Sequence, residues 1–174
     1  YFVSMIKDQI GWIPSTTPGV PALNANIGKT ETQGVELGFN GAVGTDLNWK
    51  LNYTYQDPRD TSNNKRLPYV PSHRASGSVN YALTRYLNLH TDLLWTGPRP
   101  RGTGDTRPEM PSYTTVDLSA TLKNFYKTLE IQATVRNLFD QRYRDPDTSG
   151  AALKVPGDYP REGISWFLTA SYKF

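Results

Sequence analysis

Hydrophobic and polar residues alternate with a period of two along most of this chain, the spacing of strands whose two faces meet different surroundings. Near the end, Ile164, Trp166, Leu168, Ala170, Tyr172 and Phe174 share one face, while Ser165, Thr169, Ser171 and Lys173 share the other; Phe167 alone spoils the polar face. Leu129, Ile131, Ala133 and Val135 oppose Glu130, Gln132, Thr134 and Arg136, and Val116, Leu118, Ala120 and Leu122 oppose Asp117, Ser119 and Thr121. The same design recurs over 87–95, 75–83, 47–55 and 34–40. The opening stretch, 1–13, is ambiguous, because Val3 and Met5 lie on the opposite face from Ile6 and Ile10. Together these patterns predict about eight strands and no helix.

The connectors alternate between short and long. Short ones fall at 41–46, 84–86 and 124–128; long ones, rich in Pro, Gly, Arg, Asp and Asn, fall at 14–26, 57–71, 97–112 and 141–161. Tight turns at one end and long loops at the other are the asymmetry of an outer-membrane barrel, whose long loops face outward. On that reading the final strand, which follows a long loop, carries the C-terminus into the periplasm. The fold predicted is all-β: an antiparallel transmembrane β-barrel segment.

Composition supports a sheet that buries little on itself. Only 37% of the 174 residues are hydrophobic, while Tyr (11), Trp (4), Gly (14) and Pro (13) are plentiful. No run reaches the roughly 18 apolar residues of a transmembrane helix, which leaves a strand-built span open. A net charge of +3 with interspersed signs gives no basic stripe for nucleic acid. The absence of cysteine excludes disulfides and thiolate metal sites. The chain opens on Tyr1-Phe2-Val3 in strand-like sequence, as a processed or, preferably, truncated protein would.

Two alternatives use the same periodicity: a soluble β-sandwich binding module, and a complete eight-stranded barrel acting as anchor or adhesin. Charged and amide residues inside the polar faces speak against the sandwich, as do the aromatics that end the apolar faces, namely Tyr53, Tyr55, Tyr81, Trp95, Tyr172 and Phe174.

Four motifs carry a family resemblance. Asn137-Leu138-Phe139-Asp140, followed by Arg142-Tyr143, resembles the N-L-F-D-x-x-Y signature near the C-terminus of TonB-dependent receptors. Residues 156–163 (PGDYPREG) are similar to the P-G-x-x-R region before their last strand, and 32–37 (TQGVEL) to a T-x-G-x-E strand opening. Tyr172-Lys173-Phe174 resembles the aromatic-ending signal read by barrel-assembly machinery. The resemblance implies the last third of a barrel of about 22 strands, with residues 1–174 as its C-terminal portion and neither the plug domain nor the TonB-contacting segment represented. It further implies a non-enzymatic outer-membrane protein, embedded among lipid and lipopolysaccharide. The parent would import a scarce nutrient, such as a ferric siderophore or cobalamin, with energy delivered by TonB through the plug.

Within that frame the NLFD residues are expected to be structural: Asn137 and Asp140 capping freed backbone groups at a strand exit, with Leu138 and Phe139 wedged against the outer rim. Arg99, Arg101 and Arg107, with Trp95 just below, form the candidate grip on an anionic ligand. His73 and His90 lie on different strands and carry no metal-ligand spacing; no cofactor, metal or catalytic residues are expected.

Overall fold

The computed structural model describes residues 1–8, 10–13, 23–26, 28–102, 104–149 and 152–173, with backbone alone for 10–13 and 23–26. Its strands are β1 (Phe2–Ile6), β2 (Ile10–Ile13), β3 (Leu23–Asn26), β4 (Thr30–Val43), β5 (Leu47–Asp60), β6 (Lys65–Arg66), β7 (His73–Ala82), β8 (Leu87–Thr96), β9 (Tyr113–Leu122), β10 (Glu130–Arg136), β11 (Arg144–Asp145), β12 (Tyr159–Pro160) and β13 (Ser165–Ser171). The principal sheet runs β1-β4-β5-β7-β8-β9-β10-β13, antiparallel throughout, with β6 paired beside β5. These eight are the strands the periodicity predicts. The sheet is open: β1 and β13 are its edges and do not pair with each other, so closure of eight strands on themselves is not observed.

Register keeps each predicted apolar face on one surface. Leu37 stands opposite Tyr53, Tyr53 opposite Ala75, Ala75 opposite Trp95, and on the far side Leu118 opposite Val135 and Val135 opposite Trp166. That surface has no protein layer over it. Trp166 is 77% exposed and Leu168 70%. Among the described residues Met110, in a loop, is the single buried large hydrophobic. A soluble sandwich would enclose this face in a core; here it faces outward, as lipid contact requires.

Aromatic side chains border the band. Tyr53, Tyr55, Trp95 and Trp166 lie towards the long-loop end, and Trp49, Tyr81 and Tyr172 towards the short turns. Phe174 lies outside the described residues. Tyr55 and Leu47 are separated by roughly 26 Å along β5 at about 3.3 Å per residue. A strand tilt of about 40° reduces this to about 20 Å, near the height of a barrel's apolar band. Trp49 lies across from Gly41 with its ring against that glycine, so any side chain at 41 would collide with the indole.

The opposite surface is polar and laced together laterally. Asn52 donates to Ser76 (3.3 Å), Asn80 and Asn88 exchange side-chain bonds (2.8 and 3.3 Å), and Ser119 meets Thr134 (3.0 Å). Phe167, the apolar intruder, stays on this face and lies under the Arg136 guanidinium, 5.0 Å from the ring centre.

Departures from the predicted boundaries have local causes. The opening stretch is two strands, since Asp8 takes a left-handed backbone (φ 57°) that breaks the run; β1 joins the principal sheet and β2 pairs with β3. Val3, Met5 and Ile6 all belong to β1, so Ile6 stands on the face opposite Val3 and Met5 within a single strand. Strand β5 continues past Asp57 through Pro58 to Asp60. Gln56 N–H donates to Ser72 O on the β7 side (2.8 Å), so the nitrogen of Pro58 faces the same side, where the β7 ladder has already ended.

The two faces should respond oppositely to charge. Leu51→Arg, at mid-strand on the outer face, is expected to destabilise the protein refolded into lipid vesicles by about 2–4 kcal/mol. The neighbouring Asn52→Arg should cost less than about 1 kcal/mol. Denaturant titration in vesicles reads both, and equal costs would contradict the lipid-facing assignment.

Candidate functional site

The polar chemistry of the molecule gathers in the long loops. The loop after β8 is drawn into a hairpin by paired backbone bonds between Arg99 and Met110 (3.1 and 2.9 Å) and is stiffened by Pro98, Pro100, Pro108 and Pro111. At its tip a turn closes from Asp105 N–H to Gly102 O (3.1 Å), and Gly104 supplies the positive φ (85°). The loop before β13 is braced by the β11–β12 ladder.

Arginine–carboxylate contacts join these two loops. Arg101 grips Asp158 through both terminal nitrogens (2.9 and 2.8 Å) and donates Nε–H to Pro108 O (2.6 Å). Arg107 donates to Asp105 through Nη2 (2.6 Å), approaches Asp158 (3.1 Å), and donates to Pro156 O (2.8 Å). Arg99 donates to Arg144 O (2.8 Å) and to Asp145 (3.3 Å). Asp158 also accepts the backbone N–H of Asp147 (3.0 Å), and buried Asp147 accepts backbone N–H groups from Ser149 and Val155 (3.0 and 2.9 Å). A third loop is attached where Tyr69 N–H donates to Pro100 O (2.7 Å).

Charge is balanced by direct contact. Hydrogen bonds from Arg107 hold the Asp105 carboxyl at about 2, and those from Arg101 hold Asp158 at about 2, both below the ordinary value of 3.8. Their partners Arg107 and Arg101 are raised by the same hydrogen bonds.

The structure therefore brings Arg99, Arg101 and Arg107 together at one end, with their donors directed to Asp145, Asp158 and Asp105. Trp95 is apart from them in orientation, on the outer face opposite Ala75 and Thr114. Asp105 lies two residues from Arg107, but Asp145 and Asp158 give no local signal in the sequence, where Asp158 lies 57 residues from Arg101; both loops are rich in Asp, Arg and Pro. Beside the cluster lies a hollow of about 290 Å³ lined by Met110, Tyr113, Arg142, Tyr143 and Arg144, with the rings of Tyr113 and Tyr143 stacked 4.2 Å apart. Arg142 has no side-chain partner among the described residues.

The NLFD segment is a corner. Asn137 (φ 48°, 5% exposed) accepts Gln141 N–H (2.9 Å), donates to Gln141 O (3.0 Å) and Glu162 O (3.3 Å), and gives its own N–H to Asp117 (2.8 Å). Asp140 accepts Ile164 N–H (3.0 Å), tying the corner to the start of β13. Leu138 is half-buried, but Phe139 is 73% exposed and does not wedge the turn. His73 bonds Tyr53 on the outer face (2.7 Å) and His90 meets Asp92 on the inner one (3.0 Å), so the two imidazoles lie on opposite surfaces.

The match to known proteins is to one architecture. Residues 1–138 fit the family model described as TonB dependent receptor-like, beta-barrel. The chain belongs to the TonB-dependent receptor family. It is 27% identical over 139 residues to the probable TonB-dependent siderophore receptor PiuA of Acinetobacter baumannii, covering 71% of this chain and 18% of that protein. It is 29% identical over 164 residues to the metal-pseudopaline receptor CntO of Pseudomonas aeruginosa, covering 89% and 23%. The ferripyoverdine receptor of the Pseudomonas aeruginosa outer membrane superposes with a TM-score of 0.74 at 19% identity, over 98% of this chain and 24% of that one. The chain thus spans about a fifth of the length of these curated relatives. As a member of this family it is an outer-membrane barrel protein, and the family is one of receptors.

The low carboxyl values set the acid response of this TonB-dependent receptor segment. A carboxyl held below its unfolded value stabilises the fold above about pH 4, and the gain is lost as pH falls through about 2. Pepsin should therefore leave the two joined loops uncut at pH 4 and cleave them near pH 2, with a peptide substrate correcting for pepsin's own pH dependence. Asp158→Asn should make them cleavable at pH 4; equal resistance in variant and wild type would dismiss the clasp.

Proposed function

We propose that residues 1–174 are the C-terminal part of the barrel of an outer-membrane receptor that imports a chelated metal, such as a ferric siderophore, using energy coupled through TonB and a plug domain elsewhere in the parent protein. The relatives' names favour a chelated metal over cobalamin. In this reading the long loops face outside and the C-terminus lies in the periplasm, with Tyr172 and Phe174 at the end read by barrel assembly and lipopolysaccharide around the outer rim.

The observation that carries the reading is the loop clasp on a lipid-facing sheet. Three successive loops at one end are bound to one another, as the wall of a ligand mouth must be to keep its shape. Arg99, Arg101 and Arg107 serve the ligand by holding that wall: an anion would have to displace Asp145, Asp158 or Asp105 to reach them. Arg142 and the Tyr113–Tyr143 stack beside the clasp are the open contacts for an anionic, partly aromatic chelate.

A strain lacking the gene, grown with single ferric or other metal chelates as the metal source, is expected to lose growth on one of them. Loss of TonB should remove the same growth. Unimpaired growth on every chelate would refute the transport reading. In the complemented strain, Arg101→Ala with Arg107→Ala should weaken chelate binding at least about tenfold while leaving receptor abundance in the outer membrane unchanged.

A further inference from the structure

Arginine–carboxylate pairs among the described residues gather at the long-loop end of the sheet, although Lys65, Arg142 and Lys154 there make none. At the long-loop end Arg59, Arg66, Arg99, Arg101, Arg107 and Arg161 each lie within 4.0 Å of a carboxylate. At the short-turn end Arg85, Lys123, Lys127 and Lys173 have no ion pair among the described residues.

Those four cations are held on one continuous rim. Lys123 N–H donates to Tyr86 O (2.8 Å), joining the turn after β9 to the turn after β7. Lys173 N–H donates to Thr128 Oγ1 (3.2 Å), joining the end of β13 to the same rim. The carboxylates nearby are turned elsewhere or occupied: Glu130 belongs to the inward row with Gln132, and Asp46, in the turn after β4, accepts the Thr45 hydroxyl (3.0 Å).

Apolar surface accompanies the charge. Leu83 is 46% exposed, Phe125 40% and Tyr126 56%. The Arg85 guanidinium lies 4.4 Å from the centre of the Tyr86 ring, and the Lys127 ammonium 5.5 Å from that of Tyr126. Aromatic side chains with neighbouring unpaired cations suit the headgroup level of a leaflet: the rings enter the acyl boundary and the cations reach phosphate. Cations beside an anionic lipid surface attract it, and the effect adds with each Lys or Arg.

We propose that this rim is a binding site for an anionic glycerophospholipid, a phosphatidylglycerol or the doubly charged cardiolipin. The leaflet assignment rests on the orientation proposed above, with short turns in the periplasm. The attraction itself rests on the unpaired cations.

Native mass spectrometry of the full-length receptor, presented with equimolar cardiolipin, phosphatidylethanolamine and lipopolysaccharide, tests the site. Wild type is expected to retain cardiolipin in preference to the other two. Arg85→Gln with Lys123→Gln and Lys127→Gln should lower that retention at least about tenfold, whereas Lys65→Gln with Arg142→Gln and Lys154→Gln at the other end should leave it unchanged. If the rim variant fails to give the heat-modifiable gel shift of a folded barrel, wild type at high salt replaces it, and cardiolipin should then dissociate. Retention of cardiolipin equal to wild type in the folded variant overturns the proposal, as does retention unaffected by salt or an absence of preference in wild type. Preferential lipopolysaccharide binding overturns it as well, and traces the failure to the orientation. Metal-chelate uptake is read separately in the growth assay, so failure of one leaves the other standing.

Discussion

Backbone hydrogen bonding in a medium without water governs this structure. Hydrocarbon offers no partner to a peptide group, and each one left unpaired costs several kcal/mol. A sheet satisfies them only by pairing every strand on both sides, and the six strands between β1 and β13 do so over their shared registers. Once pairing is compulsory, the period of two follows: one set of side chains meets lipid and the other meets the interior. This explains why apolar residues such as Leu168 and Trp166 stand on the outside and why the buried hydrophobic core that a soluble domain needs is absent among the described residues. It also explains the tolerance of Pro58, placed where the ladder on its nitrogen side has ended.

Beyond the band a different economy applies. The long loops have water available, so their order comes from specific polar contacts and proline rather than from a ladder. Arg101 and Asp158, joined by two short hydrogen bonds, tie segments far apart in the chain, and Asp105 and Arg107 fix the tip of one loop by local contact. Charge-assisted bonds of this kind are directional and hold a loop in one shape. The short turns need no such device, because a few residues suffice to reverse the chain, and Arg85, Lys123, Lys127 and Lys173 make no ion pair among the described residues.

Family membership and geometry support each other at different levels. The shared barrel accounts for the sheet, and the NLFD corner locks onto it: Asn137 satisfies two backbone groups of Gln141 and one of the distant Glu162, and Asp140 reaches the start of the final strand. In the reading proposed above, recognition belongs to the loops. Fold and site are thus separable, as expected where function is grafted on a common scaffold.

Much of the fold was legible in the residues themselves. Alternation located all eight strands of the principal sheet and assigned Leu118, Ile131 and Leu168 to the outer face, because a period of two survives any rearrangement of neighbours. The conflict within 1–13 was also visible, whereas the division of that stretch into two strands, at the left-handed Asp8, was not. The sequence located three arginines in one loop, with Asp105 beside them, but not the partners Asp145 and Asp158, which come from another loop; pairing at such separation leaves no periodic trace. Which carboxylate meets which guanidinium, and hence whether a cation is held or free, was decided only when the strands set the loops side by side.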